Sequence, residues 1–120
     1  MPDEACGALL GIQRSMIIDI QQFIPLSNIA IHRKTAFRID EREWIQLLFK
    51  GPANGRQVLG LIHSHPATSA TPSSADLDTL WHTIPTQWII SFADTNNPVL
   101  KAFRFHIDGT YEDLNWRIRN

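Results

Sequence analysis

Two histidines one residue apart, His63-Ser64-His65, are followed by a serine and an acid at helix-start spacing in Ser73-Ser74-Ala75-Asp76. Side chains in an extended strand alternate faces, so His63 and His65 share a face and both imidazoles can reach one metal ion. Ser64 falls on the opposite face, and Pro66 ends strand pairing and turns the chain. If Ser73 caps a helix, Asp76 stands in its first turn, where the helix dipole and free N–H groups favour an ionised carboxylate. Two neutral imidazoles and one carboxylate leave Zn²⁺ with net positive charge and an open fourth position, as in catalytic rather than structural sites. A water in that position has its pKa lowered towards about 7 and becomes a usable nucleophile. Such a site needs a base that does not ligate the metal. Glu4, at the entrance of the first apolar run, is the candidate, able to take the water's proton and deliver it to a leaving nitrogen. Ser73 is the candidate hydrogen-bond donor to the developing oxyanion.

Each residue also has a plainer reading. An H-x-H pair can be two satisfied imidazoles at a strand end, and Ser73-x-x-Asp76 is by itself a capping box. The cap and the ligand are compatible, because the cap would orient the carboxylate. Glu4 taken alone is an ordinary acid. Cys6 reads as an inert thiol within an apolar run, not as a nucleophile served by His63 or His65. His32, His82 and His106 read as surface or core-edge residues, and Trp44, Trp81, Trp88 and Trp116 as packing.

Several elements must position these groups. Ala5 to Ile12 is apolar on both parities, which predicts a strand buried on both faces. Met16 to Leu26 predicts a second strand, joined to the first by a hairpin around Arg14-Ser15. Asp40 followed by Glu43 has capping-box spacing, Trp44, Leu47 and Leu48 recur at helical spacing, and Gly51-Pro52 stops the helix; the prediction is a helix over 41–50. Gln57 to His63 predicts a third buried strand, with the histidine pair at its exit. Residues 67–72 form a small-residue loop, after which a second helix opens at Ser73 with Leu77, Leu80 and Trp81 on one face. Trp88 to Ala93 and Leu100 to Ile107 predict two more strands, separated by a turn over Asp94 to Pro98. Asp108-Gly109 predicts a hairpin into a last short strand near Tyr111 to Trp116. Mixed strands and two helices predict an α/β or α+β layered fold around one sheet.

Length and composition bound the function. The 120 residues, 43% apolar and 19% charged, fit one domain with one core. A formal net charge of −1 provides no global field for nucleic acid or a membrane surface. The single cysteine can form neither an internal disulfide nor a cysteine-based zinc site, and it suits a reducing cytoplasm. The acidic opening Met1-Pro2-Asp3-Glu4 is unlike a signal peptide, and no run approaches the roughly 18 apolar residues that span a bilayer. The expectation is a cytoplasmic protein of undetermined oligomeric state.

Taken together, Glu4-Ala5-Cys6-Gly7, His63-Ser64-His65-Pro66 and, six residues on, Ser73-Ser74-Ala75-Asp76 resemble the JAMM/MPN⁺ (Mov34/MPN/PAD-1) metalloprotease family. The resemblance implies zinc held by His63, His65 and Asp76, Glu4 as base and Ser73 as transition-state stabiliser. It further implies a cytidine-deaminase-like α/β fold, a mixed sheet sandwiched by helices, over residues 1–120. The family pattern places a helix before the Glu-bearing strand; here three residues precede Glu4, so that helix is expected to be missing. Family members hydrolyse peptide or isopeptide bonds at the C-terminus of ubiquitin-like proteins. The compact chain is similar to small prokaryotic members, which implies a ubiquitin-like or sulfur-carrier protein as substrate.

Three other readings compete. A non-catalytic MPN-like scaffold would typically lack the intact ligand set present here. A RadC-like JAB domain favours Asn between the histidines, where this chain has Ser64. A zinc deaminase needs a P-C-x-x-C segment that one cysteine cannot supply.

Overall fold

The segment from Cys6 to Gly11 is buried at every position, which requires neighbours on both edges and both faces. The computed structural model, which describes residues 3–30, 37–50, 55–77 and 83–119, provides them. Strand β1 (Cys6–Arg14) lies between β2 (Ile17–Leu26) and β3 (Gln57–His65) in a six-stranded sheet. Beyond β3 follow β4 (Thr86–Ser91), β5 (Val99–Phe105) and β6 (Tyr111–Leu114), giving the order β2-β1-β3-β4-β5-β6. Neighbouring strands pair antiparallel except β3 and β4, which are parallel and so need a crossover. Within that crossover lies α2 (Ser74–Leu77); α1 (Glu41–Lys50) lies between β2 and β3 in the chain. The architecture is a single-domain α/β fold with a mixed sheet, as expected from the sequence.

The turns follow local chemistry. Arg14 pairs with Ile17 across Ser15-Met16, and Ser15 takes the left-handed conformation at φ 55°. Gly109, at φ 86°, closes the predicted Asp108-Gly109 turn, where its N–H donates to the His106 carbonyl. Both ladders of β1 shift register near Leu10, and Gly11 lies against the Asp19 carbonyl with no room for a Cβ.

Helix α1 forms over the predicted residues. Asp40 caps it by accepting the Arg42 N–H at 2.9 Å. The expected reciprocal half of the box is absent: the Glu43 carboxylate accepts the Ser27 N–H at 3.0 and 3.2 Å, tying the helix to the end of β2.

Both helices pack on the same face of the sheet. Cys6, Ala8, Leu10 and Leu61 meet Leu47 of α1, while Ile89, Phe103 and Phe105 meet Leu77 of α2. The register pairs Cys6 with His63 and His63 with Ile89, so the histidines share this covered face. Over the opposite face runs the stretch 115–119. There Trp116 packs on Trp88 with ring centroids 5.9 Å apart and donates to the Leu100 carbonyl at 3.1 Å, and Arg119 reaches Asp19 at 2.7 Å. Leu80 and Trp81, expected on the second helix, lie outside the described residues, as do His32 and His82.

Candidate metal centre

The end of β3 and the start of α2 bring together the side chains that the sequence singled out. His63 Nε2 lies 3.0 Å from Asp76 Oδ1, His65 Nε2 lies 3.0 Å from Asp76 Oδ2, and the two imidazole nitrogens are 3.2 Å apart. Glu4 Oε1 stands 4.0 Å from His63 Nε2. All four residues are buried, and one ligand atom from each falls within 4.8 Å of the others.

Local rules explain the placement. The β3 register aims the side chains of His63 and His65 to the same face, and Ser64 to the other. Ser73 and Asp76 form a reciprocal capping box: Ser73 Oγ accepts the Asp76 N–H at 3.1 Å, and Asp76 Oδ2 accepts the Ser73 N–H at 2.9 Å. The plainer reading of this pair and its ligand reading are thus one geometry. Glu4 arrives from the opposite direction, carried in by the pairing of β1 with β3.

The donor set fits a cation. A carbonyl oxygen only accepts, so the 2.7 Å contact between His65 Nδ1 and the Ser69 carbonyl puts a proton on Nδ1. In the neutral ring Nε2 is then a bare lone pair, facing the carboxylate of Asp76 and the second imidazole. Glu4 Oε1 is fully buried and has no hydrogen-bond donor. Converging lone pairs of this kind need a proton or a metal ion among them. Nitrogen and oxygen donors in one tetrahedral zinc shell lie roughly 3.3 Å apart. The three contacts among His63, His65 and Asp76 are 3.0–3.2 Å, close to that figure, whereas Glu4 stands further off at 4.0 Å.

The two carboxyl groups are tuned in opposite directions. Burial, reinforced by the charge of Asp76 and only partly offset by His65, pushes Glu4 up to about 7. Burial alone would also raise Asp76, but its hydrogen bonds with His63 and His65 outweigh that and hold it well below the usual carboxylate range. His65 loses basicity through burial and regains more from Asp76 and the Ser69 carbonyl, so its pKa is raised.

Other candidates fall where their chemistry suggests. Cys6 is buried with its Sγ towards the carbonyls of Leu26 and Ser27, and burial above all pushes its thiol up to about 11. It is a core thiol. His106 is an exposed residue 4.0 Å from Glu112, remote from the cluster in both sheet position and contacts. The sequence reading missed two neighbours of the site. Phe37 stacks on the His63 ring with centroids 4.4 Å apart and planes 24° from parallel. Asn28 donates from Nδ2 to the Glu4 carbonyl at 2.8 Å. No sequence signal marked either, since one lies 26 and the other 24 residues from its partner in the chain.

Among the described residues no helix is long and apolar enough to cross a membrane. Fold and site together describe a single-domain mixed α/β protein with a buried Glu/His/His/Asp cluster able to hold a metal ion. Residues 1–106 match the family model described as prokaryotic homologs of the JAB domain, and the chain belongs to that family.

Among characterised relatives, the CysO-cysteine peptidase of Mycobacterium tuberculosis is 32% identical over 117 residues, covering 95% of this chain and 77% of the relative. A desampylase of Haloferax volcanii is 31% identical over 75 residues, 62% of this chain; the match spans about half (52%) of the desampylase's length. A protein of Desulfitobacterium hafniense, solved in solution, superimposes with a TM-score of 0.77 at 32% identity, covering 95% of this chain and 77% of that one. A JAB1/MPN domain protein from Archaeoglobus fulgidus superimposes with a TM-score of 0.52 at 25% identity, covering 95% and 78%.

Proposed function

We propose that this chain is a zinc-dependent peptidase that hydrolyses the amide bond following the Gly-rich C-terminus of a ubiquitin-like or sulfur-carrier protein. The observation that carries this reading is the convergence of His63, His65, Asp76 and Glu4 with their lone pairs inward and one carboxylate oxygen unpartnered. Family membership supports peptidase chemistry, as do relatives named a desampylase and a CysO-cysteine peptidase.

His63, His65 and Asp76 would hold the ion. When bound, zinc supplies Lewis-acid activation of a water and of the scissile carbonyl. Glu4 is the base: its buried carboxylate stands beside the three ligand candidates at 4.0 Å from His63 Nε2, placed to take a proton from the attacking water and pass it to the leaving nitrogen. Asp76, held ionised, keeps a negative charge in the ligand set and orients both imidazoles. Ser73 spends its Oγ lone pair on the Asp76 N–H, which leaves its hydroxyl hydrogen to donate to the oxyanion.

The test is incubation with ubiquitin-like and sulfur-carrier proteins fused through a terminal Gly-Gly to a reporter, followed by intact mass. The expected result is release at the Gly-Gly end that a chelator stops, zinc restores and thiol alkylation leaves alone. No cleavage by zinc-loaded protein across the fusion panel would reject the reading.

A further inference from the structure

Glu4 stands ahead of β1, outside its backbone ladder, although a base needs a fixed position to work. What fixes it is the peptide unit on its C-terminal side. The carbonyl of that unit, Glu4 C=O, accepts a hydrogen bond from Asn28 Nδ2 at 2.8 Å. Its N–H, belonging to Ala5, donates to Ser64 Oγ at 2.8 Å. Both polar groups of one peptide plane are therefore held by side chains.

Each of these side chains is itself anchored. Ser64 is buried, and its own N–H donates to the Ala5 carbonyl at 2.9 Å, so residues 5 and 64 are joined twice. It is also the residue between the two histidines. Whatever sets the positions of His63 and His65 along β3 therefore sets the position of the Glu4 backbone. Asn28 Oδ1 accepts the N–H groups of Ala30 at 3.0 Å and Arg38 at 2.9 Å, which locks its amide with Nδ2 towards Glu4. Arg38, which it holds, adjoins Phe37, stacked on His63.

We propose that Ser64 and Asn28 are positioning residues that clamp the Glu4–Ala5 peptide plane and thereby fix the Glu4 carboxylate beside the His63–His65–Asp76 cluster. This rests on the reading of Glu4 as the base. Neither residue reaches the reacting atoms; both act on rate through Glu4. Residues that orient a site from one layer out typically contribute 10–100-fold.

The test compares zinc-loaded Ser64→Ala, Ser64→Thr, Asn28→Asp and Glu4→Gln with the parent. Four quantities are read: zinc per chain, kcat and KM on a Gly-Gly fusion, thermal midpoint, and hydrogen exchange of the Ala5 amide. Asn28→Asp keeps the shape but replaces a donor with an acceptor facing the Glu4 carbonyl. Ser64→Ala removes the acceptor of the Ala5 N–H; Ser64→Thr keeps it.

The expected result for Ser64→Ala and Asn28→Asp is a kcat about 10–100-fold lower with KM within about twofold and zinc retained. Ala5 exchange should rise at least about tenfold in Ser64→Ala, while amides within the β1 ladder stay protected. Ser64→Thr should stay near the parent in both rate and exchange. Unchanged kcat in zinc-loaded Ser64→Ala and Asn28→Asp overturns the proposal, and so does a rate loss that tracks loss of zinc or of fold. Glu4→Gln separates this outcome from failure of the functional reading. If that variant cleaves normally, Glu4 is not the base, whatever the Ala5 amide reports.

Discussion

Asp76 and Glu4 are buried carboxylates within one cluster, yet the protein treats them oppositely. The oxygens of Asp76 face an imidazole each, and one also takes a backbone N–H, so the group is held ionised. Glu4 has an oxygen with no donor, and burial raises its carboxyl to about 7. A carboxylate locked in its charged form suits a ligand, and one poised near neutrality suits proton transfer. The difference lies in what surrounds each group: the first turn of a helix and two rings at Asp76, an apolar strand entrance at Glu4.

Removing the ionised partner should have the largest effect. Asp76→Ala is expected to bind less than about a tenth of the parent's zinc and to lose turnover by at least about a thousandfold, read by metal analysis and a cleavage assay. Retained zinc would break the division of roles. Glu4→Gln is expected to keep zinc and lose about 10²–10⁴-fold in kcat, the usual contribution of a positioned base.

The same variant sharpens the comparison without any metal. Glu4 goes from 4.5 to about 7 on folding, so its favourable contribution is present below about 4.5 and lost as pH rises through about 7. Metal-free Glu4→Gln lacks that loss and should be more stable than the metal-free parent at pH 8, by on the order of 1–3 kcal/mol in denaturant melts. A variant–parent stability difference that is the same at pH 5 and at pH 8 would show that burial does not disfavour the Glu4 carboxylate.

Two smaller effects bracket the site. Phe37→Ala removes the ring on His63 and should weaken zinc binding about tenfold, read by competition with a chromogenic chelator. Cys6→Ala should leave kcat within about twofold, and the parent thiol should resist alkylation at pH 7.5 until the protein is unfolded.

Much of this was legible in the chain, for identifiable reasons. The apolar run Ala5 to Ile12 announced a strand buried on both faces, and Asp40 announced α1, because burial and capping are local signals. The His63/His65 face and the Ser73/Asp76 box follow from the periods of strand and helix, so the three ligand candidates could be read from one short stretch. Strand order could not: nothing local says that β1 inserts between β2 and β3, and that insertion delivers Glu4. Asn28 and Phe37 escaped for the same reason, since their partners are distant in the chain and their residue types are common in loops and cores.

The spacing of the cluster along the chain ties the site to the assembly of the sheet. His63, His65 and Asp76 fall within a single short stretch around the crossover, whereas Glu4 joins them only when a strand 59 residues away docks, as the Ala5–Ser64 bond does. Because β1 is buried from Cys6 to Gly11 and lies between β2 and β3, Glu4 reaches the cluster only as the core itself closes.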